Sequence, residues 1–525
     1  MSTTRAVWIF LLVLTVLRLA LLSATQLSPD EAYYWMWSQR PAFSYFSKGP
    51  GVAFVIRSST FLFGDNEFGV RFWTPLLAAG TSLLFYYFAQ RLFSSLAAFW
   101  TVVVLNVTPI FNLGSLVLTI DPLSIFFWVA ALYTFWLAIE RTPAFSWWWP
   151  LTGLLIGLGF LCKYTNALQL VSILLVLILA RRLRREFVRP NLYLLLLVFG
   201  LCTIPPILWN SDHAWITLNH LRERGSLEQA PGFHPLEFLS FFVEHFGTYS
   251  PLLFLGLVWA TVASWGRAQR NFKVLYLLWF CLPVFLFYAI LSFNKAAAPN
   301  WDALAFLSLG ILAVSYWRER AASRVGAHFW TSAAIVLALV MTAVLVGLMV
   351  NPVGIDRRGR DPADRLRGWR ALGVAVDKVR RDFEQKTGER VFLIADERDR
   401  ASELAFYLPD RRVEGPGHPP VYIPESQDMV NQFSFWPRYD EFVPLPPNAK
   451  PDPDAVYTEE QGVNLFVGRT ALFLQMGKKG RRPPRSIRGG FGRTEQIATI
   501  EVRTSGRLLR EVQVYACYDY RTMPL

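Results

Sequence analysis

Two neighbouring carboxylates and a lysine lie in one short, aromatic-rich segment of the chain. In LSPDEAYYWMWSQRPAFSYFSKGPGVAF, residues 27–54, Asp30 and Glu31 precede a run of tyrosine and tryptophan, and Lys48 stands before a Gly-Pro pair. A carboxylate can accept the proton of an attacking hydroxyl or amine. An ammonium group binds a phosphate as a point charge and stabilises negative charge that builds up on it. The segment therefore indicates group transfer with a phosphate as the leaving group.

The same segment also has the features of an ordinary helix start. Ser28 suits the N-cap, Pro29 the first helical position, and Glu31 the third position of a capping box. An acid at Asp30 suits the positive end of the helix dipole, and the aromatic residues are typical of an interfacial helix. This structural interpretation explains Glu31 well, but it explains the partnership with Lys48 less well.

Three more charged residues are predicted at the outer ends of membrane-spanning segments. They are Lys163 in CKYTN, Lys295 in SFNKAAAPNW and Asp121 in TIDPL. Single lysines at such ends often only extend to the interface, and Asp121 is equally well explained as the acidic partner of a helix N-terminus. Three lysines on the side of the acidic pair nevertheless indicate a pocket for an anionic lipid headgroup. The sequence has no P-loop and no GxGxxG motif after a strand, so we expect the activated group to arrive on a membrane phosphate.

The elements that carry these residues are predicted to be membrane helices. The chain of 525 residues is 53% hydrophobic and only 17% charged, whereas soluble domains carry about a quarter charged residues. Apolar runs long enough to cross a bilayer recur over the first 350 positions, which predicts a polytopic α-helical membrane protein of about eleven spans. The spans are predicted near 6–24, 70–90, 96–113, 120–139, 148–162, 165–180, 191–209, 250–266, 274–293, 300–316 and 327–350. The apolar stretch 148–180 is too long for one pass, so we expect a break at CKYTN.

Charge in the loops predicts the orientation. The net charge of +13 does not indicate nucleic-acid binding, because arginines cluster in short loops as the positive-inside rule expects. Placing RRLRREFVR at 181–189 inside puts the N-terminus inside and residues 25–69 and 210–248 outside. The arginine-rich 356–370 conflicts with this orientation, but early spans usually dominate topology.

The last third of the chain has the composition of a soluble domain. A strand followed by a helix is predicted in 390–409, and two strands around a Ser-Gly turn in 496–518. We therefore expect two domains: 1–350, a transmembrane domain with a catalytic outer loop at 25–69, and 351–525, a small α/β domain on the outer face.

The motifs resemble those of a known family. DEAYYWMWSQ, YFSKGP and EFGVRFWTPLLAAG are similar to the first outer loop and second span of GT-C glycosyltransferases that use lipid-phosphate sugars. The bacterial aminoarabinose transferases and the protein O-mannosyltransferases share these features. TIDPL, SFNKAAAPNW and ASELAFYLP also resemble that group. The resemblance extends over the whole chain and is strongest in residues 27–80.

The resemblance implies roles for individual residues. Asp30 matches the catalytic acid, which acts as general base toward the acceptor, and Glu31 matches a neighbouring acid that holds the acceptor or the loop. Lys48 matches a basic residue that contacts the polyprenyl phosphate, with Lys295 and Lys163 as further phosphate-binding candidates. Residues assigned to the substrate pocket are Tyr33, Tyr34, Tyr45, Arg71 and Asp121.

The resemblance also implies the reaction type and bears on metal use. Relatives are inverting enzymes, and some have a metal-linked acid where this chain has Ser47. The histidines of the 210–248 loop show no tight ligand spacing, so we expect no metal and no cofactor, while a divalent ion stays an open alternative. The resulting prediction is an inverting glycosyltransferase of the bacterial inner membrane, with its catalytic loop and C-terminal domain on the periplasmic side.

Two other functions were weighed. A transporter or flippase for a lipid-linked sugar needs the same basic pocket but no general base, and the inverted repeats typical of transporters are not evident in the sequence. An interaction protein that uses its spans only as an anchor would not need so many. Expected partners are the polyprenyl-phosphate sugar, membrane lipids, and an acceptor that is a lipid, a glycan or a protein; no nucleic acid is expected. The sequence leaves open which sugar and which acceptor are used.

Overall fold

The computed structural model divides the chain into two compact units. It describes residues 2–140, 145–224, 232–294, 297–350, 362–444, 457–458, 462–477, 480–504 and 507–522. The first unit comprises Met1–Ala24 and Pro41–Asn351, and the second comprises Thr25–Arg40 and Pro352–Leu525. The predicted first domain had included the whole loop 25–69. Instead, Thr25–Arg40 belongs to the C-terminal unit, because helix Pro29–Ser38 packs on it: Trp35 meets Phe406 edge-on with 5.0 Å between ring centroids.

The first unit consists of helices. Those described are Thr3–Leu21, Gly51–Phe63, Glu67–Arg71, Trp73–Leu92, Ser95–Val107, Pro109–Leu113, Ile120–Glu140, Trp148–Cys162, Leu168–Leu179, Pro190–Asp212, Ile216–Arg224, Pro235–Tyr249, Pro251–Ser264, Phe272–Trp279, Leu282–Leu291, Ala303–Ala321 and Val325–Val350. Each predicted span coincides with one helix or with two consecutive helical segments. The loops predicted at 25–69 and 210–248 are not wholly irregular, because apolar residues form the helices Gly51–Phe63 and Pro235–Tyr249 within them.

Helix length bears on the number of membrane spans. Five described helices are at least 18 residues long and apolar enough to cross a membrane, and the number rises to seven if each of two sharply bent helix pairs is one span. The remaining apolar helices are shorter, such as Trp148–Cys162 with 15 residues. Helices capable of crossing a membrane are thus present, whereas the predicted count of about eleven spans is not confirmed.

The predicted break in the 148–180 stretch is confirmed. Helix Trp148–Cys162 ends at Lys163, which has extended backbone angles (φ −148°, ψ 118°). Helix Trp148–Cys162 packs very closely on Pro190–Asp212, since a Cβ added at Gly153 would lie 2.2 Å from the carbonyl oxygen of Leu195. Such small residues allow helices in a membrane to approach one another. This packing fixes the position of the end of the helix, at Lys163.

The second unit contains a four-stranded sheet of order β1-β4-β6-β5. Its strands are β1 (Phe392–Ala395), β4 (Ala471–Met476), β5 (Phe491–Thr504) and β6 (Arg507–Tyr520), and the short β2 (Tyr457–Thr458) and β3 (Gly462–Val463) form a separate pair. Strands β1 and β4 are parallel, and the other neighbours are antiparallel. Its helices are Pro29–Ser38, Trp369–Thr387, Arg398–Tyr407 and Arg485–Gly490. The strand and helix predicted in 390–409 and the two strands predicted in 496–518 are confirmed.

One buried acid makes the second unit sensitive to pH. Burial raises the pKa of Glu425 to about 7, and the negative charge of Asp440 raises it further. The folded pKa lies above the ordinary value of 4.5. The free energy of unfolding is therefore highest below pH 4.5, where the carboxyl is neutral in both states, and it falls as the pH rises to about 7. We expect Glu425→Gln to raise the free energy of unfolding by about 1–2 kcal/mol at pH 8 and to change it little at pH 5. Thermal unfolding of the full chain across this range checks the prediction, and an unchanged pH dependence in the variant would contradict it.

Candidate active site

Helix Pro29–Ser38 of the second unit carries the acidic pair. Ser28 caps it: the Glu31 backbone nitrogen donates to Oγ of Ser28 at 3.4 Å, and Oε2 of Glu31 accepts from the Ser28 nitrogen at 2.8 Å. The predicted capping box is confirmed. Glu31 is fully buried, and its carboxylate holds the start of the helix. The role that the resemblance implies for it, holding the acceptor or the loop, stays a prediction.

Asp30 differs from its neighbour in exposure. Residues 31–38 of this ten-residue helix are all buried, yet the Asp30 side chain is 59% exposed. Its Oδ1 lies 4.0 Å from Nη2 of Arg398. A short, capped helix whose other residues from 31 onward are buried thus presents a single carboxylate outward at a fixed position. This is the geometry that a general base needs, because it must be accessible to the proton that it removes.

The tyrosines that follow are part of the packing of the second unit. Tyr33 is 1% exposed, its hydroxyl oxygen accepts from the Gln432 backbone nitrogen at 2.7 Å, and its ring stacks on Phe433. Burial raises the pKa of Tyr33 to about 12, so the phenol stays protonated and does not serve as a base. Tyr34 is also buried and contacts Trp37 edge-on. Their assignment to a substrate pocket is not tested by these contacts and stays a prediction.

A cluster of polar residues forms in the first unit around Asp121. Nζ of Lys163 donates to Oδ1 of Asp121 at 2.8 Å and to the Asn300 carbonyl oxygen at 3.1 Å. The side-chain nitrogen of Asn300 donates to the second carboxylate oxygen, Oδ2, at 2.9 Å. Lys163 stands at the helix break, Asp121 in the first turn of Ile120–Glu140, and Asn300 shortly before Ala303–Ala321. The cluster therefore joins three separate segments of the first unit.

This arrangement bears on the predicted role of Lys163. Its charge is balanced by Asp121, and the side chains of the pair are only 10% and 20% exposed. A partly buried pair of this kind holds its segments together, provided that the remaining hydrogen-bonding capacity is satisfied. The prediction that Lys163 itself binds a donor phosphate is not tested and stays a prediction.

A cavity of about 240 Å³ adjoins the cluster. Asp121 and Asn300 line it, together with the polar side chains of Thr81, Ser82, Asn106, Ser115 and Thr119. The rest of the wall is largely apolar, whereas these polar groups suit a hydroxylated or charged headgroup. Asp121 thus lies at a cavity wall, and its assignment to the substrate pocket stays a prediction.

Lys48 lies in a tight turn of the same unit. Its carbonyl oxygen accepts from the Tyr45 backbone nitrogen at 3.0 Å and from Oγ of Ser44 at 3.3 Å. The next residue, Gly49, has no room for a side chain, because a Cβ there would lie 2.3 Å from the Leu161 carbonyl oxygen. The Lys48 side chain is close enough to Asp121 to interact with it electrostatically. The turn therefore places Lys48 within electrostatic range of the polar cluster, and its contact with a donor phosphate stays a prediction.

Of three other predicted site residues, two are buried in the first unit and one is not described by the structure. Tyr45 is fully buried, and its carbonyl oxygen accepts from Oγ1 of Thr217 at 3.2 Å. Arg71 is also fully buried, and its Nη1 donates to the Leu22 carbonyl oxygen at 2.9 Å. Both lie in the interior of the first unit, and their contact with substrate stays a prediction. Lys295 lies outside the residues that the structure describes.

A buried histidine–aspartate pair that no sequence pattern indicates also lies in the first unit. Nε2 of His245 lies 3.0 Å from Oδ2 of Asp302, and both side chains are fully buried. Nδ1 donates to the Phe241 carbonyl oxygen at 2.5 Å. Asp302 directly precedes helix Ala303–Ala321, two residues after Asn300, so the pair fixes the segment that completes the Asp121 cluster. Over the described part of the chain, no group of three or more His, Cys, Asp or Glu residues could hold a metal ion.

Comparison with known proteins gives matches in both sequence and fold. Residues 47–209 match the model of the dolichyl-phosphate-mannose-protein mannosyltransferase family. Lipid A galacturonosyltransferase RgtD of Rhizobium johnstonii is 29% identical over 296 residues, which cover 55% of this chain and 60% of that protein. The undecaprenyl phosphate-alpha-4-amino-4-deoxy-L-arabinose arabinosyl transferase of Edwardsiella ictaluri is 26% identical, with 55% of each chain covered. This chain thus spans less than two-thirds of the length of these relatives.

The similarity in fold extends further along the chain. The crystal structure of ArnT from Cupriavidus metallidurans bound to undecaprenyl phosphate superimposes with a TM-score of 0.61 at 18% identity, and 98% of each chain is covered. Its apo state gives a TM-score of 0.62 at 17% identity. The resemblance predicted from the motifs is therefore confirmed: in sequence and in fold, this chain is similar to the GT-C glycosyltransferases of the aminoarabinose transferase type.

Proposed function

We propose that the protein is an inverting glycosyltransferase that moves a sugar from a polyprenyl-phosphate donor to a lipid acceptor at the outer face of the bacterial inner membrane. The observation that carries the proposal is the exposed carboxylate of Asp30 on an otherwise buried and capped helix. An acid in the first turn also suits the helix dipole, but a general base must in addition be accessible to the acceptor, as this exposed carboxylate is.

The proposed reaction is a direct displacement at the anomeric carbon. Asp30 accepts the proton of the acceptor nucleophile, whose oxygen or nitrogen forms a bond to the anomeric carbon. The bond from that carbon to the donor phosphate oxygen breaks, and polyprenyl phosphate leaves with the bonding electrons. Lys48, with Lys295 as a second candidate, stabilises the negative charge of the departing phosphate. Attack opposite the leaving group inverts the configuration.

The comparisons support the class of donor and acceptor. Two relatives are named for the transfer of galacturonic acid to lipid A and of aminoarabinose from undecaprenyl phosphate. A structure with the same fold is bound to undecaprenyl phosphate. The cavity beside Asp121 is proposed to hold the donor headgroup, since Asp121, Asn300 and several hydroxyl-bearing side chains line part of its otherwise largely apolar wall. The reaction needs no activating nucleotide, because the lipid phosphate is itself the leaving group. A divalent ion stays an open alternative, and full activity in a chelator would argue against it.

The role of Lys48 gives a prediction for donor binding. We expect Lys48→Ala to weaken binding of a polyprenyl-phosphate sugar about 10- to 100-fold, because a charge-assisted contact to phosphate contributes roughly 1.5–3 kcal/mol. Titration of the donor into protein in lipid nanodiscs measures the dissociation constant. Lys273→Ala is the control, since Lys273 donates to the Leu92 carbonyl oxygen in the same unit and has no proposed role. An unchanged dissociation constant for Lys48→Ala would contradict the assignment.

A further inference from the structure

Arg398 of the second unit lies beside the proposed base. Its Nη2 is 4.0 Å from Oδ1 of Asp30, and its guanidinium lies over the Tyr33 ring, 4.6 Å from the centroid. Arg398 begins helix Arg398–Tyr407, which follows strand β1. The sheet and the helix that packs on Pro29–Ser38 therefore position a cation next to the exposed carboxylate.

The contacts of Arg398 hold its side chain but leave hydrogen-bonding capacity. Nε donates to Oδ1 of Asp399 at 2.9 Å, and the ring of Tyr33 supports one face of the guanidinium. Tyr33 is itself fixed by its hydrogen bond from Gln432. The 4.0 Å separation from Asp30 is an ion pair and is too long for a hydrogen bond. Apart from a hydrogen bond to the Tyr33 hydroxyl, the Nη nitrogens make no hydrogen bond of ordinary length within the described part of the chain, and a guanidinium carries four N–H groups on these nitrogens.

Other partly buried arginines of this unit use their Nη nitrogens for the fold. Nη2 of Arg412 donates to Oε1 of Glu384 at 2.5 Å, and Nη2 of Arg411 donates to the Phe406 carbonyl oxygen at 2.6 Å. Arg398 has a side chain that is 36% exposed and faces the exposed Asp30 instead. Its position is therefore fixed while its two outer nitrogens stay available to a ligand.

We propose that Arg398 is a substrate-positioning residue that binds an anionic group of the substrate through its two Nη nitrogens. A planar guanidinium donates two parallel hydrogen bonds to a carboxylate or to a phosphate. The anionic group is either a carboxylate on the transferred sugar or a phosphate on the acceptor lipid, and in both cases binding would bring the reacting atoms to Asp30. This inference rests on the proposed glycosyltransferase function and extends it to the charge of the substrate.

The experiment uses the full chain in nanodiscs and two matched pairs of probes. The donor pair is a polyprenyl-phosphate hexuronic acid and the corresponding neutral hexose. The acceptor pair is a phosphorylated glycolipid and the same glycolipid after phosphatase treatment. Dissociation constants are measured for wild type, Arg398→Gln and Arg398→Lys. The control is Arg493→Gln, because Arg493 also lies over a tyrosine ring (4.3 Å from the Tyr518 centroid) and pairs with a carboxylate (3.5 Å from Glu495), yet has no proposed role.

We expect Arg398→Gln to weaken binding of one anionic probe 10- to 100-fold and to leave its neutral counterpart unchanged. A change in the donor pair identifies a sugar carboxylate, and a change in the acceptor pair identifies a phosphate. Arg398→Lys keeps the charge but loses the planar fork, so it should recover only part of the affinity. Equal binding of all probes by wild type and Arg398→Gln, or equal losses for anionic and neutral probes, would overturn the proposal. Binding is read without turnover, so failure of the transfer reaction in wild type would be recognised separately as failure of the proposed function.

Discussion

Replacing Asp30 by asparagine is expected to lower the turnover number of sugar transfer about 1,000-fold. Asparagine keeps the size of the side chain but has no basic oxygen for the acceptor proton, and general base catalysis contributes roughly 10²–10⁴-fold. The substitution leaves the capping box intact, because that box uses Ser28 and Glu31. Single-turnover kinetics with a bound polyprenyl-phosphate sugar would measure the chemical step. The donor dissociation constant should stay within about twofold of wild type, because the proposed base acts on the acceptor.

The matched control for this substitution is Asp382→Asn. Asp382 is an exposed aspartate on helix Trp369–Thr387 of the same unit, so the variant loses one surface carboxylate without touching the proposed site. It should turn over at the wild-type rate. Full activity in Asp30→Asn, or equal losses in both variants, would remove the general-base assignment.

Breaking the Lys163–Asp121 pair is expected to have the largest effect on stability. Lys163→Met would leave the Asp121 carboxylate in a poorly hydrated site with only Asn300 donating to it. Removal of one partner from a buried pair costs roughly 3 kcal/mol, because the other charge loses its direct ion pair and Lys48 acts on Asp121 only as a more distant charge. Asp121→Asn should cost a comparable amount. The double variant should be less destabilised than the sum of the two single changes by about 1–3 kcal/mol. Thermal unfolding in detergent measures the stability of wild type, the two single variants and the double variant, which together form a double-mutant cycle.

Helix Ile120–Glu140, which carries Asp121 in its first turn, offers a comparison at its other end. Arg91 and Glu140 form an ion pair of 2.6 Å whose side chains are 38% and 30% exposed. Solvent and salt weaken such a pair, so Arg91→Met should cost less than about 1 kcal/mol. If Lys163→Met were no more destabilising than Arg91→Met, the pair would not hold the polar cluster together.

Local features of the site could be predicted from the sequence. The capping box at Ser28 and Glu31 depends on residues three positions apart, and the helix break at Lys163 follows from an apolar run that is too long for one pass. Strands β1, β5 and β6 of the C-terminal unit are predicted by apolar and turn residues that recur at short spacing, whereas β4 is not predicted. In each case the determining contacts lie within a few residues of one another along the chain.

The remaining features depend on contacts between distant segments. Asn300 and Asp302 belong to the site because one binds Asp121 and the other His245, and no spacing in the sequence indicates either contact. For the same reason Arg398 could not be placed beside Asp30, although the segment ASELAFYLP that follows it had been singled out. The grouping of Thr25–Arg40 with the C-terminal unit depends on aromatic packing that only the folded chain shows.

The most direct test of the central claim is the release of free polyprenyl phosphate. Purified protein in lipid would be mixed with a panel of polyprenyl-phosphate sugars and an envelope lipid extract as acceptor, for wild type and for Asp30→Asn. Release by wild type from at least one donor, lost in the variant, is the predicted result, and it would identify the sugar and the base together. Tight donor binding by both proteins without release from any donor would contradict the account. It would indicate a transporter of lipid-linked sugars, in which the helix at Asp30 has only a structural role.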